Sequence, residues 1–511
     1  MIKVSGSAVG RIDRSCPEYK ALLDAHSKLA KKDTTLWGKQ AQAEAAIRLN
    51  WVDLPNNSRE LLPTLDALAA KHRDKTVFIL CGMGGSSLGP EVIATTHEKD
   101  LFILDSTDPF HVQRALANDL AKTLVIISSK SGTTIETMSH RSIFEAAFRN
   151  KSLEPTSHMV FVTDPGSPLD HQVRKDGFSV VDADPHVGGR FSVLSAFGLV
   201  PASLIGVDVS VLLDDANDAK TSFLLDPHLV CDIAFLLAYE SEQYVAFNDT
   251  GSGMPGLSDW IEQLIAESTG KNQVGRLPIV VKDFKEVHGD NCFNVAFSGN
   301  ADLVVEAGLS AQFILWEWVT SLLCFALKVD PFNQPNVTEA KDATSALLSQ
   351  WNGSKPLFTA DQVEASVEIY GKGTSIKDAL NVLIASAPPN GYIAVMAYLD
   401  RFDDAYLVEL QSILSEKADR PVTFGWGPRF LHSTGQFHKG GQQNGVFLQI
   451  TGDHQVGIKI PGAEFDLSTL IAAQALGDAN ALTKRNYPLL RFNVKSRKTG
   501  IAEIIAAAKS L

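Results

Sequence analysis

Hydroxyl side chains crowd one short stretch of the chain. Ser128-Ser129-Lys130-Ser131-Gly132-Thr133-Thr134 runs into Ile135-Glu136-Thr137, which reads as the start of a helix. Ser129, Ser131, Thr133 and Thr134 put four hydroxyls within six residues, more than an N-cap requires. The first N–H groups of a helix are unpaired and carry partial positive charge. A dianionic phosphate monoester suits such a cup without any arginine cluster. No Gly-Lys-Ser/Thr closes a P-loop here, so the cup is not a nucleotide site of that kind. A second run, Gly82-Met83-Gly84-Gly85-Ser86-Ser87-Leu88-Gly89, lies between a strand-like segment and a helix, and Asp105 follows 23 residues after Gly82. This is close to a dinucleotide fingerprint, but Ser87 stands where its third glycine belongs. A tight strand-to-helix turn and a nicotinamide site both stay open at that point. Gln263 and Glu267 are four apart, on one helical face beside Leu264 and Ile265, which suits the edge of a cleft. Taken singly, Arg190 reads as an ion-pair or helix-start residue and Lys341 as surface, while His438 and Lys439 read as solvated.

The elements that would position these groups follow from hydrophobic patterning. Nearly continuous apolar runs at Thr76–Cys81, Leu101–Asp105, Thr123–Ser128, His158–Thr163 and Phe178–Val181 are separated by helix-length amphipathic stretches. Such runs mark strands buried on both faces, and the alternation predicts a parallel sheet covered by helices. Residues 1–59 are polar and helix-leaning, with a helix at Ala41–Leu49 and no strand-like run. Residues 60–206 form the first α/β domain. Residues 207–511 form the second, with a helix at Asp208–Asn217, a strand at Leu277–Val281, a buried helix at Ala311–Leu327 and a turn at Asp330–Val337. Further strands are expected at Tyr392–Tyr398, Val422–Gly425 and Val446–Thr451, a helix at Asp466–Leu476, and less regular structure between 345 and 390.

Composition narrows the class. The 511 residues are 45% hydrophobic and 21% charged, enough for two to four domains with cores of their own. Net charge is −13, a field that repels nucleic acid and anionic membranes, so neither is an expected partner. Cys16, Cys81, Cys231, Cys292 and Cys324 are widely spaced and form no Cys-x-x-Cys pair. Neither a zinc site nor a disulfide framework is expected. The 17 residues of Ala311–Leu327 contain Glu317 and are short for a membrane span. With no apolar N-terminal leader in view, the expectation is a cytoplasmic protein.

The motifs now carry a resemblance. Cys81–Pro90, Ser129–Thr137 and Val187-Gly188-Gly189-Arg190-Phe191-Ser192 resemble successive motifs of the glucose-6-phosphate isomerase family. The first two resemble its sugar-isomerase phosphosugar-binding domain. Trp260–Lys271 resembles the catalytic-glutamate motif, and Asn333–Lys341 the lysine motif. The histidine motif, which the family places between these two, is matched after them by Leu431-His432-Ser433-Thr434-Gly435-Gln436. That order resembles the isomerase half of fused transaldolase–glucose-6-phosphate isomerases and implies a rearranged second domain. His288, in the expected order but without the motif, competes with His432.

The resemblance implies an α/β fold of two doubly wound parallel-sheet domains with helical additions. It implies an aldose–ketose isomerase of glycolysis that needs no metal or organic cofactor and acts as a homodimer. By the same resemblance, Glu267 moves a proton between C2 and C1, His432 with Lys341 opens the sugar ring, and Arg190 faces the enediolate. Ser129, Lys130, Ser131 and Thr134 would hold the phosphate. Gly85, Ser86, Gly189, Gln263 and Gln334 would line the sugar. The rival readings are a non-catalytic phosphosugar sensor, which could dispense with Glu267, Lys341 and Arg190, and a nicotinamide dehydrogenase.

Overall fold

The computed structural model describes residues 2–289, 291–454 and 457–511. Strand β1 (Lys3–Ser5) comes first, within the segment expected to lack strands. The next five strands are β2 (Val77–Cys81), β3 (Phe102–Leu104), β4 (Thr123–Ser128), β5 (Met159–Thr163) and β6 (Ser179–Asp182). They make a wholly parallel sheet in the order β3-β2-β4-β5-β6. Each matches an expected apolar run to within a residue or two. Successive connections leave β2 in opposite directions, so a crevice opens beyond the carboxyl ends of β2 and β4, where ligands of open α/β sheets bind. The glycine-rich and hydroxyl-rich loops follow those two ends.

Beyond residue 207 the described residues carry two sheets. In the first, β7 (Tyr244–Asn248), β8 (Leu277–Val280), β9 (Cys292–Ala296) and β10 (Leu303–Glu306) are mutually parallel. Strand β1 closes its edge antiparallel to β10, with Val4 opposite Val305. Three residues make a strand there because β10 offers a ladder, not because of any pattern of their own. In the second, β11 (Gln362–Glu364), β12 (Val367–Tyr370), β13 (Tyr392–Tyr398), β14 (Val422–Trp426), β15 (Gly445–Gly452) and β16 (Leu489–Val494) lie in the order β11-β12-β16-β15-β13-β14. Strands β13 to β16 are parallel, while β12 runs antiparallel to β16 and β11 to β12. The 345–390 region is therefore more regular than its sequence suggests. It supplies β11, β12 and the helix Ile376–Ala385.

The α/β class built on parallel sheets is as the alternation of apolar runs implied. Helix Leu309–Leu327 is long and apolar enough to cross a membrane, but 89% of its apolar window is buried inside the fold. It packs on helices Val209–Leu225 and Leu257–Thr269 as the spine of the main core.

Candidate active site

A cleft of about 600 Å³ lies over the carboxyl ends of β2 and β4. The thirteen residues to which the resemblance gives a role all line it: Gly85, Ser86, Ser129, Lys130, Ser131, Thr134, Gly189, Arg190, Gln263, Glu267, Gln334, Lys341 and His432. His288 does not; its backbone N–H is held by Ser415, outside the cleft.

Local backbone makes the floor. Gly84 has φ +56°, a left-handed conformation that glycine adopts without strain. A Cβ on Gly85 would lie 1.9 Å from the Gly189 carbonyl oxygen. Only glycine lets the two loops meet. Above β4, Thr134 precedes helix Ile135–Asn150 without capping it through its side chain, so the helix start stays open to an anion. Ser129 Oγ donates to Thr134 Oγ1 at 3.4 Å and accepts from Gly132 N–H at 3.2 Å, while Ser131 and Thr133 hydroxyls lie 2.8 Å apart. Lys130 is turned aside: its Nζ pairs with Asp164 at 2.8 Å and donates to the Asp184 and Pro185 carbonyls. Burial pulls its pKa down and pushes that of Asp164 up.

Helix Leu257–Thr269 brings Glu267 to the opposite wall. Gln263 Nε2, one turn earlier, donates to Glu267 Oε2 at 3.1 Å and to the His432 carbonyl at 2.9 Å. Arg190 Nε stands 3.3 Å from the same Glu267 oxygen. The other arms of that guanidinium donate to Pro331 O at 2.7 Å, Ser268 Oγ at 3.3 Å and Gln334 Oε1. Arg190 thus joins the glutamate helix to the loop that leads to Lys341. Lys341 sits on helix Pro335–Trp351, exposed at the cleft wall. Gln436 locks that helix to the histidine segment: its Oε1 accepts from Asn336 N–H at 2.9 Å, and its Nε2 donates to Gly270 O and Asn336 Oδ1.

The sequence reading did not single out Glu136. Its Oε1 lies 3.2 Å from His432 Nε2 and accepts from Gln474 Nε2 at 2.8 Å. Burial alone would raise its pKa, but the charge and hydrogen bond of His432 prevail and hold the carboxyl below its ordinary range. Its only signal in the sequence is a carboxylate directly after the hydroxyl cup. Lys271 was also unassigned. Its ammonium donates to the Asp330 carbonyl, and burial, with the Arg190 charge adding, pulls its pKa down to about 7.

Two expectations are corrected. His438 and Lys439 are buried, not solvated. Tyr392 Oη lies 2.9 Å from His438 Nδ1, its ring stacks on the imidazole, and burial pulls the histidine pKa down to about 3. Lys439 pairs with Asp478 inside the fold. Asp105, the acid of the dinucleotide-like reading, is also spoken for. It is buried, and Arg429 Nη1 donates to it at 2.8 Å.

Comparison with known proteins follows the same lines. The family model described as phosphoglucose isomerase matches residues 68–274. A probable glucose-6-phosphate isomerase of Methanococcus maripaludis is 31% identical over 218 residues, 40% of this chain and 50% of that protein. A glucose-6-phosphate isomerase of Synechococcus sp. (strain JA-3-3Ab) is 34% identical over 220 residues, 39% of this chain and 40% of that protein. The chain thus spans half or less of the length of these curated relatives. The crystal structure of a glucose-6-phosphate isomerase from Chlamydia trachomatis superposes with a TM-score of 0.55 at 18% identity, covering 68% of this chain and 88% of that one. The fold is shared with it. Over residues 68–274, from the glycine-rich loop through Arg190 and Glu267, this chain is similar to the phosphoglucose isomerases; Gln334, Lys341 and His432 lie beyond that stretch.

Proposed function

We propose that the protein is a glucose-6-phosphate isomerase, interconverting glucose 6-phosphate and fructose 6-phosphate through a cis-enediolate. The observation that carries the reading is the convergence on one cleft of a carboxylate, a histidine–carboxylate pair, a cation and an open helix start ringed by hydroxyls. The similarity of residues 68–274 to phosphoglucose isomerases supports it.

In this reading the phosphate sits on Ser129, Ser131 and Thr134 and the N–H groups at the start of helix Ile135–Asn150, with Lys130 contributing charge from behind its Asp164 pair. The sugar lies across Gly85, Ser86 and Gly189 toward Gln334. His432, oriented by Glu136, exchanges a proton with the ring oxygens and is assisted by Lys341. Glu267 then takes the C2 proton and returns it to C1. A base positioned in this way contributes roughly 10²–10⁴-fold. Negative charge grows on the enediolate oxygen as that proton leaves, and Arg190, already fixed beside Glu267, meets it without reorganising.

The division into a helical N-terminal segment (1–59), a first phosphosugar domain (60–206) and a second part (207–511) is proposed with the function. So are a homodimer and a cytoplasmic setting. Purified protein incubated with fructose 6-phosphate, with and without NAD, tests the reading. Glucose 6-phosphate should form equally in both samples. No cofactor-independent product would exclude it, and NAD-dependent oxidation would favour a dehydrogenase.

A further inference from the structure

The proposed chemistry uses the carboxyl edge of the first sheet, and the six-stranded sheet has an edge of the same kind. Its order puts β13 between β14 and β15, so successive connections leave β13 in opposite directions and a crevice opens between the ends of β13 and β15. That is a topological switch point, the usual ligand position of open α/β sheets. A cavity of about 330 Å³ lies beside it, bounded by Tyr398 at the end of β13, Thr451 and Gly452 at the end of β15, Arg491 and Asn493 of β16, and helix Leu467–Thr483. Its size falls at the small end of ligand pockets, roughly 300–1,000 Å³. None of its lining residues belongs to the Glu267 cleft.

The lining is chemically specific. Arg491 donates from Nε to Gln449 Oε1 at 3.0 Å and lies over the Tyr370 ring at 5.1 Å. Its partners are an amide oxygen and a ring, with no carboxylate among the described residues. Burial pulls its pKa down, so an anion brought to it would supply the ion pair that its amide and ring partners do not. Lys355 lines the same cavity, also without an ion pair among the described residues. Two acids share the lining. Asp453 accepts from Asn493 Nδ2 at 3.1 Å, and Asp466 accepts from Thr469 N–H at 2.8 Å. Each retains further lone pairs for hydroxyl donors. Ser468 Oγ, buried in the same lining, has no hydrogen-bond partner among the described residues.

We propose that this cavity is a second ligand site, for a small polyhydroxylated anion, either a sugar phosphate or a sugar acid. The anionic group meets Arg491 and Lys355, the hydroxyls meet Asp453, Asp466 and Ser468, and the carbon face lies on Tyr370.

Equilibrium dialysis with glucose 6-phosphate and, separately, gluconate tests this on the full chain and three variants. Arg491→Gln and Lys355→Ala should each weaken one binding event at least tenfold, for one probe or both, and leave turnover at low substrate within about twofold. The double variant Ser129→Ala/Thr134→Ala should leave that event intact. Binding of glucose 6-phosphate alone identifies a phosphate site, and binding of gluconate a sugar-acid site. Lys355 is at the protein surface, so its variant reports even where Arg491→Gln does not fold. Unchanged binding of both probes to Lys355→Ala and to folded Arg491→Gln overturns the proposal. Failure of the isomerase reading would show instead in the Ser129/Thr134 variant, as sugar-phosphate binding indifferent to those hydroxyls.

Discussion

Glu267 takes its orientation from two donors on different parts of the chain, Gln263 one turn earlier and Arg190 from the loop after β6. Replacing it with glutamine keeps the shape and removes the proton acceptor. Glu267→Gln should therefore bind sugar phosphate within a few-fold of the parent, by calorimetry, while turnover falls roughly 10²–10⁴-fold. In the proposed mechanism Glu136 acts one step removed, through its 3.2 Å contact with His432. Because its carboxyl is held below the ordinary range, its contribution to stability is present above the unfolded value near 4.3–4.5 and is lost as pH falls through the lower folded value. At neutral pH it is ionised, so Glu136→Gln should reduce kcat on the order of 10²-fold with little change in phosphate binding, measured by initial rates. That Glu267, Arg190, Lys341 and His432 share one cleft was legible because their flanking residues form motifs. Glu136 was not, since a carboxylate in a first helical turn reads simply as favourable to the helix dipole. Its meaning comes from His432, 296 residues away.

At the scale of elements, the cleft depends on the glycine-rich loop and the 188–190 loop meeting without side chains between them. Gly85 against Gly189 is the tightest approach. Gly85→Ala should push the glycine-rich loop off the 188–190 loop and lower kcat/KM by about 10²-fold, since a displacement near 1 Å at a catalytic centre costs that much. Thermal unfolding beside the rate assay would separate this from general destabilisation. The five strands of the first sheet could be read directly, because burial on both faces makes each a continuous apolar run. Strands β1, β11 and β12 could not. β1 is three residues long, β11 is exposed throughout, and all three are fixed by antiparallel partners far away or one turn on. His438 and Lys439 failed for the same reason. A histidine and a lysine next to glycines look solvated until Tyr392 and Asp478 close over them.

For the whole molecule, the acids buried around the spine and the sheet junction set how stability responds to pH. Glu317 is fully buried, both its oxygens lack hydrogen-bond partners among the described residues, and burial holds its pKa well above the ordinary value. Glu262 is pushed up to about 8 by burial, with the Asp259 charge adding, although Ser433 donates to it. Acids with raised folded values favour the fold fully below their unfolded pKa and progressively less as pH rises toward the folded one. Between pH 5 and pH 8 the thermal midpoint of Glu262→Gln should therefore fall less than the parent's, whereas Lys271, held down to about 7, works in the opposite direction above neutrality. Glu317→Met, of similar volume, should stabilise by about 1–3 kcal/mol at pH 7 in denaturant unfolding. The net charge of −13 does not bear on the proposed phosphate position, where hydroxyls and backbone N–H groups, with Lys130 behind them, are the groups proposed to meet the anion.

The most direct test follows fructose 6-phosphate by NMR in D₂O with the parent protein and Glu267→Gln. The parent should interconvert the two sugar phosphates and place solvent deuterium at C2, while the variant should bind substrate and do neither. Deuterium entry at the parental rate in Glu267→Gln, or a parent that leaves fructose 6-phosphate unchanged, would contradict the account.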